Sequence, residues 1–277
     1  FGSFALAYGL VLFLTGLIWS ATAEVILVAE RSHTADFREY LRMGAGAALA
    51  LSLVVTVLVG TGVMLVRPQA TPVYVLLLVA LPATGLQGYW RHALLATGEP
   101  RAAALNDILW LAVQLAASLL VLQITVREGS IALVATWVLA AYVAAAFGIS
   151  QTACVPRVGS LVPFMRRSAG TSWHLAMEYV AVRAIPQTLL FSLTATSPIG
   201  QVASFKGAQT AFGPMQTLNS GLRLLSLNEA ARTLAHRPSN LKGLRARYAL
   251  ARIVSWVISS TLAIADHAPA PAVAASV

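Results

Sequence analysis

Arg183, Lys206 and Arg223 stand inside apolar runs, where charge is costly. A cation at mid-bilayer costs about 2.5–3.5 kcal/mol on insertion scales, so each needs a ligand, an ion-pair partner or a route to the interface. Arg183 falls near the middle of its run, and its forked guanidinium suits a pyrophosphate. The competing reading is an interhelical ion pair, with Glu178 the nearest carboxylate on the same run. Lys206 and Arg223 lie closer to the ends of theirs, where long side chains also snorkel to water. Three positive charges on two adjacent spans would favour a polyanionic headgroup over a cationic drug. Carboxylates in the same setting are candidates for carrying a coupling proton or sodium ion. Here those are Glu24, Asp107 and Glu178, with Glu24 and Asp107 expected near interfaces within reach of water. No metal-ligand cluster, nucleophile–base pair or phosphate-cradling glycine loop is recognisable, so neither an enzyme nor a bound cofactor or metal is expected.

Eight apolar runs must position these groups: roughly 4–28, 43–66, 73–96, 104–124, 131–149, 171–195, 200–228 and 248–265. Each is close to the ~20 residues that cross a hydrocarbon core. The 277 residues are 58% hydrophobic and 10% charged, against about 25% charged in a soluble chain. The expectation is an all-α polytopic membrane protein with the lipid bilayer as its solvent, in the cell (inner or plasma) membrane. Arg31, Arg38, Arg42, Arg101, Arg157, Arg166, Arg167, Arg232, Arg237, Lys242, Arg245 and Arg247 fall in alternate gaps, with Arg91 at the end of the run before one of them, while the intervening gaps hold Arg67 and Arg127. Loops rich in Lys and Arg stay cytoplasmic, which places both chain ends outside. The net charge of +9 therefore sets topology and meets anionic headgroups, and does not point to nucleic acid. The single cysteine, Cys154, excludes an intrachain disulfide.

Helix breakers mark candidate hinges at Pro82, Pro186 and the pair Gly213-Pro214, the last lying between the two cations of run seven. A proline removes a backbone hydrogen bond and kinks a helix, either as a hinge or as a static packing device. Tryptophans 19, 90, 110, 137, 173 and 256 are expected mostly as interfacial anchors. The span-free stretch 151–170, with Pro156, Gly159 and Pro163, reads as a cytoplasmic linker. It separates a first bundle (1–150, five spans) from the start of a second (171–265, three spans), followed by a disordered tail, 266–277. Residues 1–7 and 199–205 match at Gly2/Gly200 and Ala5/Ala203, each opening a span that enters from outside. Like orientation of both copies suggests a parallel repeat, two bundles about a pseudo-twofold axis along the membrane normal. The first bundle then lacks its first helix, and the chain reads as a fragment.

Phe1-Gly2 with its Ala/Leu span, Arg91–Arg101 (Arg-His-Ala-Leu-Leu-Ala-Thr-Gly-Glu-Pro-Arg), and Ile199–Arg232 with Gly200, Gly213-Pro214 and Asn228-Glu229-Ala-Ala-Arg232 carry a resemblance. The chain resembles the polysaccharide (O-antigen-type) flippases of the multidrug/oligosaccharidyl-lipid/polysaccharide exporter superfamily. The resemblance covers most of the chain through loose motifs and implies its second to ninth spans, truncated at both ends. It also implies a lipid-linked glycan as substrate, turned from the cytoplasmic to the outer leaflet by alternating access. A drug/cation antiporter of the same superfamily and a non-functional truncated remnant are the alternatives. The outer gaps 67–72, 125–130 and 196–199 are too short to carry a glycosyltransferase site.

Overall fold

The computed structural model describes residues 2–28, 34–66, 71–124 and 129–196, together with Gly221. The described segments form six helices and no strand: α1 (Gly2–Val28), α2 (Thr34–Val66), α3 (Thr71–Thr97), α4 (Pro100–Ile124), α5 (Gly129–Thr152) and α6 (Leu161–Thr196). All six belong to one compact unit, Phe1–Phe212, of the two into which the chain divides. Within it, α1 to α5 each hold a stretch long and apolar enough to cross a membrane. Run eight, run seven apart from Gly221, and the tail lie outside the described residues, and so does the second copy of the proposed repeat.

The helices sit where the apolar runs predict, with two informative differences. The polar segment that opens α2 is helical from Thr34, and α6 begins at Leu161, so the linker expected over 151–170 contracts to the turn at 153–160. Both extensions have the same cause. Tyr40 and Phe164 are buried against each other, with ring centroids 5.3 Å apart, and a buried aromatic pair stabilises helical turns that charge alone would have left as loop. Helix α6 therefore continues the first bundle and lies along α1 and α2.

At the centre is α3, which touches α1, α2, α4 and α5. The hydrogen-bond gap at Pro82, inside α3, is filled by its neighbours. Proline has no N–H to give the carbonyl four residues back, and that carbonyl, Leu78 O, accepts the Thr56 hydroxyl of α2 at 3.0 Å. The next carbonyl, Val79 O, accepts the Tyr142 hydroxyl of α5 at 2.9 Å. On the third side the Trp19 indole N–H of α1 donates to Thr84 O at 3.0 Å. Three neighbouring helices thus bond to the backbone around one proline.

Close backbone approach brings α3 against its neighbours. A Cβ at Gly88 would collide with the Trp19 ring, and one at Gly148 would collide with Trp90. This corrects the anchoring expected for two tryptophans: Trp90 is fully buried and Trp19 fills the α1–α3 seam, because glycines open notches there for flat rings. Trp173, 65% exposed, is free of such packing.

The α3–α4 corner follows from Thr97-Gly98-Glu99-Pro100. Gly98 takes φ +86°, a left-handed conformation that costs glycine little. Gly98 N–H donates to Leu95 O (3.2 Å) and Glu99 N–H to Leu94 O (2.8 Å), the paired bonds of a Schellman stop. Pro100 then opens α4 at the position where a missing N–H is harmless.

Candidate functional site

Two polar assemblies form at the end of the bundle where α3 and α5 finish and α2, α4 and α6 begin. The first joins α3, α4 and α5. The Gln87 amide donates to Asn106 Oδ1 (3.2 Å) and to Asp107 Oδ1 (2.9 Å). The Asn106 amide in turn donates to Ala144 O (3.0 Å) and Gln151 Oε1 (3.1 Å), and the Gln151 amide closes the loop on Ala102 O (2.9 Å). Arg91 Nε faces Asp107 Oδ2 at 3.5 Å, with the two side chains 30% and 40% exposed. Such an ion pair, open to water, is worth about 0–1 kcal/mol; the buried amides matter more, because an orphaned one costs about 1–3 kcal/mol. These bonds all run from one helix to another, so the network fixes the rotation of three helices at once.

The second assembly joins α2 to the α5–α6 turn. Arg157 N–H donates to Arg42 O at 3.0 Å, and Ser160 Oγ reaches Met43 O at 2.7 Å. Gly46 makes this approach possible, since a Cβ there would strike Arg157 O. Glu39 is shared by two guanidiniums, pairing with Arg157 and, at 3.7 Å, with Arg42. Arg167 on α6 stacks over the Tyr40 ring, 5.1 Å from its centroid. Cys154 is buried in the same corner. Burial pushes its thiol above the ordinary value of 9.0, while the Arg38 and Arg42 charges pull it back in part. Four arginines, Arg38, Arg42, Arg157 and Arg167, therefore converge on a corner where Glu39 is the carboxylate contributed by the described residues.

The residues singled out by sequence fall in different places. Glu24 is buried, 6% exposed on α1, which corrects the expectation of ready access to water. Asp107 is built into the amide network. Glu178 is exposed on α6. Pro82 lies inside α3, where neighbouring helices bond to the backbone around it. Arg183 and Pro186 lie within the run of α6, and their side chains lie outside the described residues. Lys206, Arg223, Gly213 and Pro214 lie outside them altogether. The structure also brings forward Gln87, Asn106 and Gln151, which sequence reasoning passed over. Their signal in sequence is weak: Gln87 and Asn106 are amides within runs three and four, and Gln151 lies just past the end of run five.

Among the described residues, helices without strands, five of them of membrane-crossing length and polarity, with a basic corner at one end, are the class of protein these observations define. No family model, no curated protein and no solved structure matches the chain.

Proposed function

We propose that this chain is part of a membrane transporter that flips a lipid-linked oligosaccharide from the cytoplasmic to the outer leaflet of the cell membrane. In this reading two bundles related by a parallel pseudo-twofold axis rock about a central path, with Gly213-Pro214 and Pro186 as hinges. The observation that carries it is the placement of Arg183, Lys206 and Arg223 within apolar runs, where an uncompensated cation is expensive. The packing of α6 adds support. Tyr179 meets Phe13 of α1 with ring centroids 5.7 Å apart, and position 183 follows one turn later in the same helical row. Proton or sodium coupling would fall to Glu24, Asp107 or Glu178.

Burial of Glu24 is the one observation that favours the drug/cation antiporter, because a buried acid is what a cationic cargo requires. The experiment is Arg183→Ala, scored by appearance of the lipid-linked sugar in the outer leaflet. Loss of a charge-assisted contact worth about 1.5–3 kcal/mol should lower export by about ten- to a hundredfold. Unchanged export at normal protein level removes Arg183 from the mechanism, and efflux of a cationic dye without sugar export favours the antiporter.

A further inference from the structure

We infer that the corner formed by α2 and the α5–α6 turn is a binding site for the phosphate headgroup of an anionic phospholipid of the surrounding bilayer. This stands apart from the transport reading and uses none of its residues. Three observations carry it. Arg42 and Arg157 share the charge of Glu39, while Arg38 acts on Cys154 beside them and Arg167 lies over Tyr40, so the group retains an excess of positive charge. The arginines are presented outward and held in place: the Arg42 and Arg157 side chains are 51% and 59% exposed. Their backbones are locked by the Arg157–Arg42 bond, and Arg167 is stacked on Tyr40.

The third observation selects a lipid over a soluble phosphate. Val155 and Val158, on either side of Arg157 and Pro156, are 61% and 94% exposed, and Val162 follows at 59%. Bare valines interleaved with cations cost free energy against water. They are accommodated where the guanidiniums meet phosphates and the methyl groups enter the acyl boundary. Basic pockets between membrane helices on the cytoplasmic side bind headgroups in this way. Helix α2 supplies the depth. Its 33 residues rise about 50 Å at 1.5 Å each, beyond a ~30 Å hydrocarbon core, so its first turns, with Arg38 and Arg42, reach headgroup level.

The test places the purified chain in phosphatidylcholine nanodiscs doped with phosphatidylglycerol and follows the rise in unfolding temperature with anionic lipid content. Removal of two arginines in Arg42→Gln/Arg157→Gln, at about 1 kcal/mol each near the surface, should weaken the apparent lipid affinity about thirtyfold. Arg101→Gln removes an exposed charge from the same end of the bundle but on α4, and should leave the affinity unchanged. Glu39→Gln should act in the opposite direction and tighten binding, since it frees two guanidiniums. A merely structural role for Glu39 would instead lower stability with and without anionic lipid, and that outcome overturns the proposal. So does an equal loss in Arg101→Gln, which would mean diffuse surface charge. Displacement of the lipid effect by millimolar inorganic pyrophosphate would show a soluble phosphate site and would overturn it too.

Discussion

Cys154 reports on the basic corner through its own titration. Its thiol is raised by burial and lowered by Arg38 and Arg42, so alkylation by iodoacetamide should accelerate with a midpoint above pH 9.0, and Arg38→Gln should move that midpoint higher still. The sign for stability follows. A folded-state value above the unfolded one means the thiol's contribution is intact at neutral pH and is lost as pH climbs through the folded value. A rate profile with its midpoint at or below 9.0 would show that the thiol is not buried there. Legibility was uneven among individual side chains. The arginines and acids stood out because charge in apolar sequence is rare. Gln87, Asn106 and Gln151 did not, because a single amide on each of three helices becomes a network only when their rotations are known. The tryptophans misled for a related reason, since sequence does not reveal which glycine faces which ring.

Between helices, the proline of α3 invites a double-mutant cycle. Thr56→Val strands the Leu78 carbonyl that Pro82 leaves without its helical donor, and should destabilise the protein by about 1 kcal/mol. With Pro82→Ala in place, residue 82 supplies its own N–H, and the same Thr56→Val change should become nearly neutral. Thermal unfolding of the four proteins in detergent measures the coupling; strictly additive effects would mean that Thr56 serves some other contact. Any hinge motion at Pro82 must also break the Thr56 and Tyr142 bonds. The helices themselves were readable from hydropathy alone, because a long apolar run has few other ways to satisfy its backbone. Their starting points were not. Thr34–Leu41 and Leu161–Gly170 carry charge and small polar residues, and their helicity depends on Tyr40 meeting Phe164 across a distance in sequence that periodicity does not register.

For the bundle as a body, α4 is the outermost helix. Leu105, Ile108, Leu111, Leu115, Leu119 and Leu122 are all more than half exposed along it, in the three- and four-residue spacing of one face. Helix α4 contacts α3 and α5, which leaves that ridge as the face for acyl chains. A topology reporter checks the orientation argued from the arginines: a cysteine introduced at Arg101 should be blocked by a membrane-impermeant thiol reagent only from the cytoplasmic side. Labelling from outside would invert the whole arrangement.

The overhang of α2 ties the protein to the thickness of its membrane. Where acyl chains are longer, the oily slab rises toward Arg38 and Arg42, and the helix must tilt or drag charged turns into hydrocarbon. Where chains are shorter, the exposed valines of the adjoining turn lose their cover. The corner thus behaves as a depth gauge, fitting one lamella best and sorting the molecule toward it.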